Sequence, residues 1–217
     1  AMYGGTMQQG RDAVKALVVE TGLISDITGE SAFAMGKFVA NTGVGGAEAA
    51  KLAKTLRLIN GQSLATNLNL LSSVDNLAEA NGIVSSKVFS DLASNTELFA
   101  RAGASGANSL AKAAIEAAKI GTSLSALDQI ADNLLDVQQT IRRSQQLSRL
   151  LGRNIDLTRA IGLANDPTQI SALQQELQTQ FAGVDISKNR FLQNQLKQLF
   201  PSLQDFNAIV NGQVNTE

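Results

Sequence analysis

Apolar residues recur along this chain with the three-to-four spacing of a helix face, and sustained strand-like alternation of β-branched residues is missing. Val14, Leu17 and Val18 share one predicted face. Phe33, Gly36, Lys37 and Ala40 share the next, with Phe38 beside them. Leu52, Leu56 and Ile59 form a third stripe, and Leu68, Leu71, Val74, Leu77 and Ala78 a fourth. Val88, Leu92 and Phe99 follow, then Leu124, Leu127, Ile130, Ala131 and Leu134. The stretch from Gln138 to Leu147 reads as an amphipathic helix with a polar outer face. Phe191, Leu192, Leu196 and Leu199 mark a later helix, and Leu203, Phe206 and Ile209 a last short one.

Helix starts are signalled by residues whose side chains accept from free N-terminal amides. Thr28-Gly29-Glu30-Ser31, Ser85, Ser123 with Ser125, Ser187, and Ser202 after Phe200-Pro201 are the candidates. Asp166-Pro167 places proline in a first turn, where its missing N–H is harmless. Glycines at Gly4-Gly5, Gly43 to Gly46 and Gly103 to Gly106 predict hinges or tight turns. Gly43, Gly82 and Gly121 recur at intervals of 39 residues, each ending one helical pattern and preceding another, which is the length of a helical-hairpin repeat. The next position in that series is Ala160, and the flanking residues match poorly.

The expected fold is therefore all-α, a bundle or stacked hairpins of about nine to twelve short helices of ordinary globular length. Residues 11–211 are expected to form one helical structural module, with a sub-boundary near 152–167. Residues 1–10 are expected to be disordered or derived from cloning, and 212–217 to fray. The unceremonious end at Asn215-Thr216-Glu217 suggests a piece excised from a longer protein.

Composition narrows the chemistry. There is no His, so no imidazole base and no Ser–His–Asp triad. There is no Cys, which removes disulfides, thiolate nucleophiles and the common structural zinc sites, and leaves the redox compartment open. Eighteen basic residues against nineteen acidic ones give a net charge of −1, no footprint for nucleic acid or for an anionic membrane surface. No apolar run reaches the roughly 18 residues that a membrane span needs.

Three short patterns invite a chemical reading. Gly43-Val44-Gly45-Gly46-Ala47-Glu48 superficially resembles a dinucleotide loop, but it lacks the third glycine and a preceding strand. Ser109-Leu110-Ala111-Lys112 has the spacing by which lysine activates serine, without a Lys-Thr-Gly partner. Asp128, Asp132 and Asp136 fall at i, i+4 and i+8, on one helix face opposite Leu127, Ile130 and Leu134. That row reads first as a solvated face. It would otherwise be a divalent-cation site, or an interface for Arg142, Arg143 or Arg149. Arg142, Arg143, Arg149 and Arg153 cluster without interleaved aromatics, and Glu176, Asp185 and Asp205 show no pairing for acid–base work. No catalytic, cofactor-binding or metal-ligating residue is assigned, and the chain is expected not to be an enzyme.

From about Gly82 to Ala164 the sequence becomes distinctive. Asp91-Leu92-Ala93-Ser94-Asn95-Thr96-Glu97-Leu98-Phe99-Ala100, the run Leu110 to Gly121, the stretch from Ser125 to Asp136, and Leu150-Leu151-Gly152-Arg153-Asn154-Ile155-Asp156-Leu157-Thr158-Arg159-Ala160 occur in an order that resembles tail tape measure proteins of tailed phages. The resemblance implies a virion structural protein that lines the tail tube, sets its length and leaves ahead of DNA. It implies partners that are other copies of itself and phage tail tube or baseplate proteins. No specific nucleic acid, stable membrane insertion, small-molecule ligand or cofactor is expected. The location implied is the tail lumen, with the host cytoplasm during assembly. A ruler wants a long unbroken helix, since its length per residue must be constant. The glycine breaks here suggest instead a globular module appended to one. Some members of that family carry lysozyme-like or peptidase domains, and nothing in this chain matches one. The alternatives are a helical interaction module of a secreted toxin, translocator or adhesin, and an enzyme using Asp128, Asp132 and Asp136 as cation ligands.

Overall fold

A computed structural model describes residues 11–12, 14–16, 18–19, 28–187 and 189–212, with backbone alone at 104–105. Residues 1–10 and 213–217, for which disorder and fraying are expected, lie outside the described residues, as do Leu17 of the first stripe and the Gly4-Gly5 hinge. The protein is all-α, with no strand among the described residues. Eleven α-helices are described, in line with the nine to twelve expected. They are α1 (Gly29–Thr42), α2 (Gly46–Asn60), α3 (Leu64–Ala80), α4 (Ser85–Ser94), α5 (Thr96–Ile120), α6 (Leu124–Leu135), α7 (Val137–Leu151), α8 (Thr158–Ala164), α9 (Ile170–Phe181), α10 (Arg190–Leu196) and α11 (Leu203–Asn211). A 3-10 turn, Pro167–Gln169, precedes α9.

The chain divides into two compact units, 1–115 and 116–217, where one module was expected over 11–211. The expected sub-boundary at 152–167 lies inside the second unit. Local signals there, Gly152 and Asn165-Asp166-Pro167, are real turn chemistry, but the intervening backbone is tied into the second unit by hydrogen bonds described below.

In the first unit α1 packs on α3, and α2 packs on α4 and α3. The Thr28 hydroxyl accepts from the Ser31 amide at 3.1 Å and the Ser31 hydroxyl accepts from the Thr28 amide at 3.0 Å, so two orphan donors are satisfied at the start of α1. Gly43 closes that helix at φ 68°, in the left-handed region that carries little penalty only for glycine. The core side of α1 is Met35, Phe38 and Val39, while Phe33 is 75% exposed. The buried face lies two residue steps, roughly 200°, from the one drawn through Phe33, Gly36, Lys37 and Ala40, because Phe33 pulls the predicted stripe toward itself while Met35, Phe38 and Val39 satisfy the i, i+3, i+4 pattern. Phe38 meets Phe89 of α4 edge-on at 4.9 Å, an arrangement that aligns ring edge with ring face. Leu52, Leu56, Leu68, Leu71 and Leu92 fill the remaining space, whereas Leu77 is partly exposed.

In the second unit α6 and α9 both pack on α8, α9 packs on α11, and α7 touches α10. Phe181, Phe200 and Phe206, all fully buried, form a mutual edge-to-face cluster with centroids 5.0–5.7 Å apart. Ser123 caps α6 and Ser202 caps α11, as their positions predict. Asn189 and not Ser187 caps α10, accepting from the Leu192 amide.

Gly82 and Gly121, like Gly43, have positive φ. The interval from Gly43 to Gly82 holds α2 and α3, the next holds α4 and α5, and that from Gly121 to Ala160 holds α6 and α7. Ala160 itself is buried inside α8, so the glycine spacing ends there.

Candidate functional site

The resembling segments map onto the end of α4 and start of α5, the second half of α5, α6, and the connection from α7 to α8. That connection, Gly152 to Leu157, is held by several hydrogen bonds from α7 and α9. Gly152 ends α7 at φ 63°. Ser144 and Ser148 sit one turn apart on α7, so both hydroxyls reach the same residue of the connection. The Ser144 hydroxyl donates to the Ile155 carbonyl, and the Ile155 amide donates to the Ser148 hydroxyl at 2.8 Å. The Ile155 and Leu157 side chains are buried. Arg153 donates to the Gln180 carbonyl at 2.8 Å, and the Asp156 amide donates to the Gln180 side-chain oxygen at 3.1 Å. Gln180 also donates to Glu176, whose other oxygen meets Arg159 at 3.4 Å. Gln180 therefore joins the connection to α9, and one glutamine among many in this part of the sequence gives no signal of that role.

A cavity of about 220 Å³ lies against this connection, lined by Thr140, Ile141, Ser144, Asn154, Asp156 and Thr158 among others. Its hydroxyls are engaged. Thr140 donates to the Asn133 and Leu134 carbonyls, and Ser144 to Ile155. Asp156 is the one carboxylate in the lining, and it accepts from the Thr158 amide at 2.9 Å. A shallower groove of about 580 Å³ is bordered by the loop 183–187, Gln193, Leu203, Asn207 and Asn211, again with a single carboxylate, Asp185. A lone carboxylate engaged in a turn gives neither the pair needed for acid–base catalysis nor a cation cage.

The other sequence candidates are placed as follows. Asp136 leaves the row: α6 ends at Leu135, and Asp136 caps α7 by accepting from the Gln139 amide. Asp128 and Asp132 remain on the outer side of α6, opposite the buried Leu127, Ile130 and Leu134. Among the described residues no group of carboxylates is placed to hold a metal ion. The Gly43 to Glu48 turn follows helix α1, not a strand, and Glu48 closes it by accepting from the Gly45 amide and from the Ser90 hydroxyl. Lys112 is exposed on α5, and Ser109 is half-buried. Arg143 bonds to Gln139 within α7, while Arg142 and Arg149 point to solvent. Asp205 accepts from Thr122 at 2.8 Å and from Ser202 at 2.6 Å, and Asp185 accepts from the Ser187 amide. Asp185 serves a turn, while Asp205 serves the start of α11 and ties it to Thr122 ahead of α6. No helix among the described residues is long and apolar enough to cross a membrane.

Two turn carboxyls, Asp156 and Asp166, are expected to couple stability to acid. The Thr158 hydroxyl and then its amide hold the Asp156 carboxyl below the ordinary value of 3.8, and Thr168 does the same for Asp166 ahead of the 3-10 turn. A folded-state value below the unfolded one stabilises the fold fully above the unfolded value, and that contribution disappears as pH falls through the folded one. Urea midpoints followed from pH 6 to 2 are expected to fall below about pH 4, and to fall less steeply in the Asp156→Asn/Asp166→Asn variant. An equally steep acid branch in the double variant removes these two groups from the account.

Comparison with protein-family models, curated proteins and solved structures found no match.

Proposed function

We propose that this chain is a structural module of a phage tail, a segment of a tape measure protein acting in tail length determination, tail assembly and DNA ejection. What carries the reading is the ordered likeness of the segments between Asp91 and Ala160 to that family. The role of their most distinctive element agrees with it. In Gly152-Arg153-Asn154-Ile155-Asp156-Leu157, Arg153, Ile155 and Asp156 bond to α7 and α9, and a segment occupied in joining helices suits a packing and assembly protein. On this reading the partners are other copies of the chain and tail tube or baseplate proteins, in the virion lumen and, during assembly, in the host cytoplasm. No catalytic step is assigned.

The test is tail length by electron microscopy after in-frame deletion of residues 11–211 from the parent gene. Tails shorter by about 300 Å, from roughly 1.5 Å per helical residue, mean that the segment counts as ruler in an extended form. Tails of unchanged length that fail to infect make it a globular module used at ejection. Normal tails with normal infection overturn the proposal.

A further inference from the structure

Helix α5 is one stretch of helical backbone broken at a single residue. Gly103 has φ 66° and ψ −172°, a region open essentially to glycine alone, while the chain on both sides is helical. Sharp helix breaks have local causes, and here the cause is this one pair of torsions. Within the first unit the break separates an arm at 96–102 from an arm at 104–115. Leu98 and Phe99 anchor the first arm, and Ala107, Leu110, Ala111 and Ala114 anchor the second.

Two further observations bear on what holds the break. A Cβ built on Gly103 meets nothing within 4 Å, so the space at the break admits a side chain and the torsions alone call for glycine. Beneath the break the packing is incomplete: a small apolar cavity of about 10 Å³ is lined by Phe99 of the first arm, Ala107 and Ala111 of the second, and Leu56, Leu71 and Leu92 of the bundle. A void of this kind forfeits contacts on the side where atoms are missing. Ala100, Ala102, Ala104 and Ala107 favour helix on either side of Gly103, with Gly106 the nearby residue that opposes it.

We infer that Gly103 is a hinge between this broken form of α5 and an uninterrupted helix across 96–115. The straight form lifts one arm out of its bed and opens the first unit at Phe99. The hinge rests on torsions and packing alone, and it stands or falls separately from the tail reading.

The chain has no native cysteine, so labels can be placed cleanly in the full-length protein. Glu97 and Lys112 are both exposed, one on each arm. Spin labels on the Glu97→Cys/Lys112→Cys protein report the separation by pulsed electron resonance. A straight helix fixes that backbone separation at about 22 Å, from 1.5 Å per residue. A main distance shorter than the straight value is expected in the otherwise unmodified chain, because the break at Gly103 turns the backbone off a single axis. Gly103→Ala, which forbids the observed torsions but fits the space, is expected to move the main distance to the straight value with helical circular dichroism kept. Phe99→Ala loosens the first arm without touching the hinge, and is expected to populate the straight value beside the broken one. An unmoved distance in Gly103→Ala overturns the hinge. If Gly103→Ala does not fold, Phe99→Ala decides: appearance of the straight distance supports the hinge, and its absence overturns it.

Discussion

Phe206→Ala is expected to destabilise the second unit by about 3–5 kcal/mol, the range for deleting a buried phenylalanine. The ring is fully buried and meets Phe181 at 5.7 Å and Phe200 at 5.0 Å, both edge-on. Two terms add. The first is the transfer of the lost apolar surface, and the second is the edge-to-face attraction, about 0.5–1.5 kcal/mol per pair beyond area. The cluster draws one ring from α9, one from the turn after α10 and one from α11, so the hole cannot be closed by moving a single helix. Stability of a domain this size is commonly about 5–15 kcal/mol, so the loss consumes a large part of it. Urea unfolding followed by circular dichroism should show a lower midpoint at unchanged slope. Phe191→Ala is the matched control: its ring is 60% exposed, and its midpoint should scarcely move. Equal shifts for the two variants would mean that the ring cluster is not what holds these helices together.

The contrast between Phe206 and Phe191 also shows what the sequence can and cannot convey. Both lie in helical stripes, yet periodicity marks a face and not its depth. Phe33 misled for the same reason: a large apolar residue pulled the predicted stripe of α1 toward solvent, and the smaller signal at Met35, Phe38 and Val39 was the core. Caps are legible at Thr28, Ser123 and Ser202, whereas the equally local caps at Ser63, Asp136 and Asn189 are not singled out by the sequence. Where several cap-forming residues lie together, tertiary packing chooses among them. Ser85, an expected cap, is instead the first residue of α4, with a buried hydroxyl that has no partner among the described residues. Asn189 displaced Ser187 in the same way.

The division at 115/116 was not legible because it falls within α5, where no turn residue marks it. The stretch 152–167 carries turn signals at Gly152 and Asn165-Asp166-Pro167, and its start is bonded to α9 through Gln180, a contact 24–27 residues away in sequence. The candidate site was legible to a similar degree. The distinctive phrase at Gly152 to Ala160 could be picked out as unusual, but that Ser144 and Ser148 clamp Ile155 depends on two chain segments meeting, which no local pattern encodes.

The acidic row on α6 separates a chemical reading from a packing one most sharply. If the helix matters for its buried side, Leu127→Asp should be among the most damaging single changes in the second unit. Leu127 is fully buried between the turns that carry Leu124, Ile130, Ala131 and Leu134. A carboxylate there must be taken out of water with no partner, at a penalty of several kcal/mol, and the packing of leucine is lost as well. The expected result is loss of the cooperative unfolding transition at neutral pH, with partial recovery in acid as the new carboxyl is protonated. Asp132→Ala, on the exposed side of the same helix, should cost far less than Leu127→Asp, since interactions at exposed positions are worth little beside an unpaired buried charge. Should Asp132→Ala instead cause the greater loss, the outer face of α6 would be what the second unit depends on, and the order of importance inferred from burial would have to be reversed.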